Sequence, residues 1–159
     1  MEKEFQNTFT QLVEITFEFV NRNKSEIDVI YTYASMEEGD AFFNTFFKIN
    51  GKLSKIQKIN DVSIEKYNIS DQRVFGMLKE GNKLLLNLIQ LFNKNSREVP
   101  NLMKMVYHPK TGQFNNDLIY EKQYSNDDER TNVDGYQEWF NELNDHKLKQ
   151  ILKVHFKIS

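Results

Sequence analysis

Residues 29–61 read VIYTYASMEEGDAFFNTFFKINGKLSKIQKIND, and this segment sets the architecture. It predicts three consecutive antiparallel strands. Residues 29–35 are dense in β-branched and aromatic side chains, which suit a pleated, half-buried surface. Met36-Glu37-Glu38-Gly39-Asp40 is a polar turn. Residues 41–49 place Phe43, Phe47 and Ile49 on one face and Phe42 and Phe46 on the other, so this strand is expected inside a sheet covered on both sides. Asn50-Gly51 marks a two-residue hairpin, because a type I′ turn needs positive φ at both central positions. Residues 52–59 form the third strand. Its Lys52, Lys55 and Lys58 discourage pairing with another sheet if the strand lies at an edge.

On the N-terminal side, Phe5, Phe9, Leu12, Val13, Thr16, Phe17 and Val20 recur at helical spacing, and Ile15 and Phe19 widen the stripe. A helix over residues 4–21 with a broad buried face is expected across the sheet. On the C-terminal side a loop over 61–68 leads to Ser70, an N-cap residue followed by Asp71, whose charge suits the positive end of a helix. Phe75, Leu78, Leu85, Leu88, Ile89 and Phe92 carry that second helix over 71–93. Gly76 and Gly81 weaken it, and a bend is expected near Gly81-Asn82. Residues 99–107 return to strand, with Leu102, Lys104 and Val106 opposed to Met103, Met105 and Tyr107, and Pro100 at its start. His108-Pro109-Lys110-Thr111-Gly112 is a turn, and residues 113–124 are the fifth strand. A third helix opens near 132–134 with Tyr136, Trp139, Phe140 and Leu143 on one face. Beyond Asp145 lysines mix with Leu148, Ile151 and Leu152, and the segment reads as continued helix or, over 154–158, as a strand. The sum is one α+β domain over 1–159. Its antiparallel sheet has about five strands, a three-stranded meander plus a hairpin, with about three helices packed on one face.

Thirteen Phe and seven Tyr in 159 residues imply a core built from rings, and a chain of this length buries a sizeable one. A net charge of −2 argues against a nucleic-acid-binding domain, which is commonly strongly basic. The absence of cysteine removes disulfides, thiolate zinc sites and cysteine nucleophiles together. The first twenty residues carry acidic side chains and no continuous apolar run, so no secretory signal is expected. No stretch reaches the roughly 18 apolar residues of a membrane span. A cytoplasmic protein is the expectation.

Catalytic chemistry is sparse. The six glycines are scattered and form no phosphate loop. The three histidines, His108, His146 and His155, make no H-E-x-x-H, and there is no G-x-S-x-G elbow. No catalytic residue, cofactor or metal is expected. Two acidic clusters remain: Glu37, Glu38 and Asp40 in the first sheet turn, and Asp127, Asp128 and Glu129 after the fifth strand. Neither has the spacing of a calcium loop. A charged turn is usually a solvated turn. The functional alternative is docking of a basic partner, because complementary charge speeds association and selects the partner.

Several segments together resemble the YezG-like immunity (antitoxin) proteins of bacteria. They are Tyr33-Ala34-Ser35-Met36-Glu37-Glu38-Gly39, Phe46-Phe47-Lys48-Ile49-Asn50-Gly51-Lys52 and Arg97-Glu98-Val99-Pro100. Val106-Tyr107-His108-Pro109-Lys110-Thr111-Gly112-Gln113-Phe114-Asn115, residues 120–128 and Trp139-Phe140-Asn141-Glu142-Leu143 complete the match. The resemblance covers about residues 5–143 in consistent order. His108 stands where the family pattern has an acidic residue, and the basic extension over 145–159 lies outside it. The resemblance implies an α+β domain that binds and neutralises a cognate secreted toxin, including nucleases, without catalysis of its own. A nuclease cleft is built to hold phosphates, so acidic loops suit its inhibitor. Two other classes compete: a small-molecule-binding or enzymatic domain with an aromatic-lined pocket, and a nucleic-acid module using Lys52, Lys55, Lys58 and the basic tail. Neither direct nucleic-acid binding nor a membrane is expected under the leading reading.

Overall fold

Helix α1 (Glu2–Phe19) opens the fold and closes without a glycine. Asn21 and Arg22 take positive φ, and the Arg22 amide donates to the Phe17 carbonyl at 2.9 Å. Strand β1 (Ile27–Ser35) follows and pairs antiparallel with β2 (Phe42–Ile49), from Ile27 opposite Ile49 to Ser35 opposite Phe42. Asn50 and Gly51 hold φ of 51° and 79°, the left-handed pair of a type I′ turn, and lead into β3 (Lys52–Lys55). The third strand is shorter than its sequence suggests. Ile56 and Ile59 are both fully buried, and burying residues three apart needs a helical period, so the chain leaves the ladder. It continues as a 3₁₀ turn (Ile56–Lys58) and the one-turn helix α2 (Ile59–Val62). Helix α3 (Asp71–Lys94) begins at Ser70, whose side chain accepts from the Arg73 amide at 3.3 Å. Strands β4 (Leu102–His108) and β5 (Gln113–Ile119) form a hairpin on the other side of β1. The sheet is antiparallel throughout, in the order β3-β2-β1-β4-β5. Helix α4 (Asn132–Ile158) follows, so the segment undecided between helix and strand continues the helix. This computed structural model describes the backbone of residues 2–158 and the side chains of residues 2–145.

The helices cover both faces of the sheet, where one face was expected. Ile30, Ala34, Phe43, Phe47, Met103 and Met105 point to the layer of α1 and α3. Tyr33, Phe46 and Leu102 point the other way and meet Tyr136 and Trp139 of α4. The double row of rings on β2 is the physical reason: neither row can face water, so each needs its own cover. The Phe46 ring is stacked on Tyr31 at 4.8 Å and met edge-on by Trp139 at 5.1 Å and Phe140 at 5.2 Å. Lys55 is not simply an edge guard. Its ammonium lies 5.1 Å from the Phe140 ring and donates to Gln137 Oε1, tying α4 to the β3 edge.

Two helix glycines mark where a helix lies directly on the sheet. A Cβ at Gly81 would stand 2.2 Å from Phe43 Cδ1, and one at Gly135 would stand 2.1 Å from Tyr33 Oη. Helix α3 runs unbroken through Gly81. The bend expected there is absent, because the glycine serves close approach to the sheet.

Candidate partner interface at the acidic end of the sheet

The turn from β1 to β2 is shaped by Glu38 and Gly39, both at positive φ (55° and 77°), and it carries Glu37 inward. Glu37 is 0% exposed. A buried carboxylate persists only with several donors, and this one has three successive backbone amides. Its Oε1 accepts from Gln123 at 2.7 Å, and its Oε2 accepts from Tyr124 at 3.0 Å and Ser125 at 3.2 Å. Glu37 therefore fastens the loop between β5 and α4 onto the β1–β2 turn. Arg130 pins the other end of that loop. Its Nε donates to the Gln123 carbonyl at 2.8 Å, and its two terminal nitrogens meet both Glu138 oxygens at 2.5 and 2.6 Å. This pairing raises the Arg130 pKa and holds the Glu138 carboxyl below its ordinary value.

The two acidic clusters, far apart in sequence, thus share one end of the sheet. Glu38, Asp40, Asp127, Asp128 and Glu129 are all exposed there. The Tyr124 hydroxyl donates to the Glu37 carbonyl at 3.4 Å, and burial first, then the charges of Asp40, Glu37 and Glu38, raise its pKa. The Asp127 carboxylate accepts from the Glu129 amide at 3.0 Å and fixes the loop tip. Of the six residues expected at a partner surface, Glu37 is the exception. Its charge is spent inside the molecule, and it acts on any partner only through the loop it holds.

A second buried glutamate, with no signal in the residue pattern around it, lies at the opposite end of β1. Glu26 is 3% exposed. Its Oε1 accepts from the Ile64 amide at 2.7 Å and from Asn50 Nδ2 at 3.1 Å. Its Oε2 accepts from Tyr67 Oη at 2.6 Å, the Glu65 amide at 3.1 Å and Asn23 Nδ2 at 3.1 Å. Burial pushes the Glu26 pKa up, but these hydrogen bonds together outweigh it and leave the pKa lowered. Nearby, Asp28 accepts from the Gly51 amide at 2.7 Å and from Lys110 Nζ at 2.6 Å, joining the two hairpin turns. Glu26 sits in the polar run Asn-Arg-Asn-Lys-Ser-Glu, where no periodicity separates a buried carboxylate from a solvated one.

Two cavities flank α1 on its β5 side. One of about 400 Å³ is bordered by Phe9, Val13, Tyr107 and Phe114. The other, of about 370 Å³, is bordered by Phe5, Phe9, Phe92, Leu118 and Tyr120. They share Phe9 and make an open trough, apolar along its floor, with Gln6, Thr10 and Glu14 at the first cavity and Glu98 and the Glu2–Arg97 ion pair (2.7 Å) at the second. Among the described residues no three His, Cys, Asp or Glu side chains converge as metal ligands. His108 heads its turn, its carbonyl accepting from the Gly112 amide at 2.8 Å, and the side chains of His146 and His155 lie outside the described residues. Among the described residues no helix is long and apolar enough to cross a membrane. No protein-family model matches this chain, and no curated protein matches it.

Proposed function

We propose that this chain is a non-enzymatic immunity protein that binds and neutralises a cognate secreted toxin, a nuclease being the best fit, through the acidic end of its sheet. The observation that carries this reading is the joining, by buried Glu37, of two sequence-distant segments that between them expose five carboxylates. The YezG-like motif pattern supports it from the sequence side. A loop fixed before binding loses little conformational freedom on docking, so its charge is available to the partner at small entropic cost. The cationic cleft of a nuclease is the complementary surface.

The test uses the full chain and a catalytically inactive form of the toxin encoded by the neighbouring gene. Replacing Glu38, Asp40, Asp127, Asp128 and Glu129 with Gln or Asn is expected to slow association by about tenfold or more at low salt and to flatten its salt dependence. An unchanged association rate with unchanged salt dependence overturns the reading. The apolar trough beside α1 favours a second reading, a small-molecule-binding domain. Against it stands the polar lining: Gln6, Thr10, Glu2, Arg97 and Glu98 are exposed and Glu14 is half-buried, where orienting a small ligand takes buried, convergent polar groups.

A further inference from the structure

The two edges of the sheet are built differently. Edge strand β3 has four residues, carries exposed Lys52, is tied to α4 through Lys55, and ends in a helical turn, all features that discourage further pairing. Edge strand β5 has seven residues, Gln-Phe-Asn-Asn-Asp-Leu-Ile, with neither lysine nor proline. Among the described residues no strand pairs with its outer side. On the α1 face it also exposes apolar surface: Leu118 is 37% exposed, and Phe114 and Leu118 both line the trough that α1 leaves open.

The side-chain order of β5 names the occupant. Phe114-Asn115-Asn116-Asp117-Leu118 reads apolar, polar, polar, polar, apolar about Asn116. Antiparallel pairing of two such strands about a two-fold axis at Asn116 sets Phe114 opposite Leu118 on the α1 face, twice. It sets Asn115 opposite Asp117 on the other face, an amide against a carboxylate. A two-fold at Asp117 would oppose two carboxylates directly, and one at Asn115 would oppose Phe114 with Asn116; both are poorer cross-strand pairs. We propose that β5 is a self-association edge, pairing antiparallel with β5 of a second copy of this chain in the register Asn116 opposite Asn116. The contact is isologous and closed, so it stops at a dimer. It joins the two sheets into one of ten strands. The acidic end lies beyond Ile119, so the antiparallel arrangement points the two acidic ends in opposite directions and leaves both free. Pairing of one short strand covers less than the roughly 1,200 Å² of a standard interface, so the dimer is reversible.

The absence of cysteine makes the register directly testable on the full chain. Opposed residues in an antiparallel pair have Cβ atoms about 4.5–5.5 Å apart, close to disulfide reach. Asn116→Cys is therefore expected to form a disulfide dimer at least about tenfold faster than Lys52→Cys on the opposite edge. In sedimentation without oxidant, the unmodified chain is expected to dimerise as its concentration rises over about 1–300 µM. Asn115→Lys, which sets an ammonium opposite the second copy's Asp117, should tighten the dimer by about tenfold at low salt, and Asn115→Asp should loosen it comparably. Circular dichroism shows that each variant is folded before it is scored. A chain that stays monomeric throughout, or cross-linking at 116 no faster than at 52, overturns the proposal. So does a monomer whose β5 edge, blocked by Leu118→Lys, proves to be needed for binding the toxin.

Discussion

Glu26 and Glu37 solve one problem at opposite ends of β1. A strand buried on both faces must turn at each end, and the loops that cross those ends have backbone amides with no ladder to join. A glutamate turned inward satisfies several of them at once, and each amide repays the carboxylate for its lost hydration. Replacing Glu26 with Gln keeps the shape but turns an amide NH₂ toward Tyr67, the Glu65 amide or Asn23, donors facing a donor. The expected loss is about 2–4 kcal/mol, read as a lower urea midpoint at neutral pH. The pH dependence has a definite sign. The folded pKa of Glu26 lies below its ordinary 4.5, so its contribution is complete above that value and is lost as pH falls through the depressed one. Glu26→Gln should therefore flatten stability against pH in that acidic window. A slope identical to that of the parent chain would show that other carboxylates carry acid unfolding. Neither glutamate is visible in hydrophobic periodicity, which reports side chains that avoid water and is blind to charges that lose it.

The features read correctly from the sequence are those fixed by neighbours in the chain. Asn50-Gly51 is a local conformational requirement, Ser70 a local cap, and the α1 stripe a local period. Those misread depend on contacts across the fold. The ladder of β3 ends early because Ile56 and Ile59 reach the core, and Gly81 sits in an unbroken helix because Phe43 lies beneath it. Gly135 is the matching case on the other face, and it gives a clean test. Gly135→Ala gains helix propensity of about 1 kcal/mol but drives a methyl into Tyr33 Oη, so a net loss of about 1–2 kcal/mol is expected. The ring carbon behind that hydroxyl would be 3.0 Å from the new Cβ. Tyr33→Phe should therefore recover most of the loss, with a coupling of about 1 kcal/mol or more in a double-mutant cycle followed by thermal denaturation. Additive losses would mean that α4 moves off the sheet as a body.

Across the molecule, one central strand separates two ends of different character. Nine residues of β1 hold them about 30 Å apart. The Glu26 end gathers the hairpin turns and the segment over 63–67, and the Glu37 end gathers the acidic loops. Substitutions at such distance with no shared partner add, so Glu26→Gln and Glu37→Gln together should destabilise by the sum of their single effects within about 0.5 kcal/mol. Their effects on partner binding should differ. Glu37→Gln keeps one acceptor oxygen but turns its NH₂ toward either the Gln123 amide or the Tyr124 and Ser125 amides, so the amides left without an acceptor should exchange faster with solvent and the loop should be held less firmly. Association with the inactive toxin should slow by about tenfold, because the two acidic segments are no longer held against each other when the encounter occurs. Glu26→Gln, destabilised to a similar degree, leaves that end untouched and should bind at the parent rate under conditions where both variants are folded. Equal slowing by both would mean that global stability, and not the arrangement of the acidic end, sets recognition. Slowing by Glu26→Gln alone would move the contact surface to the other end of β1.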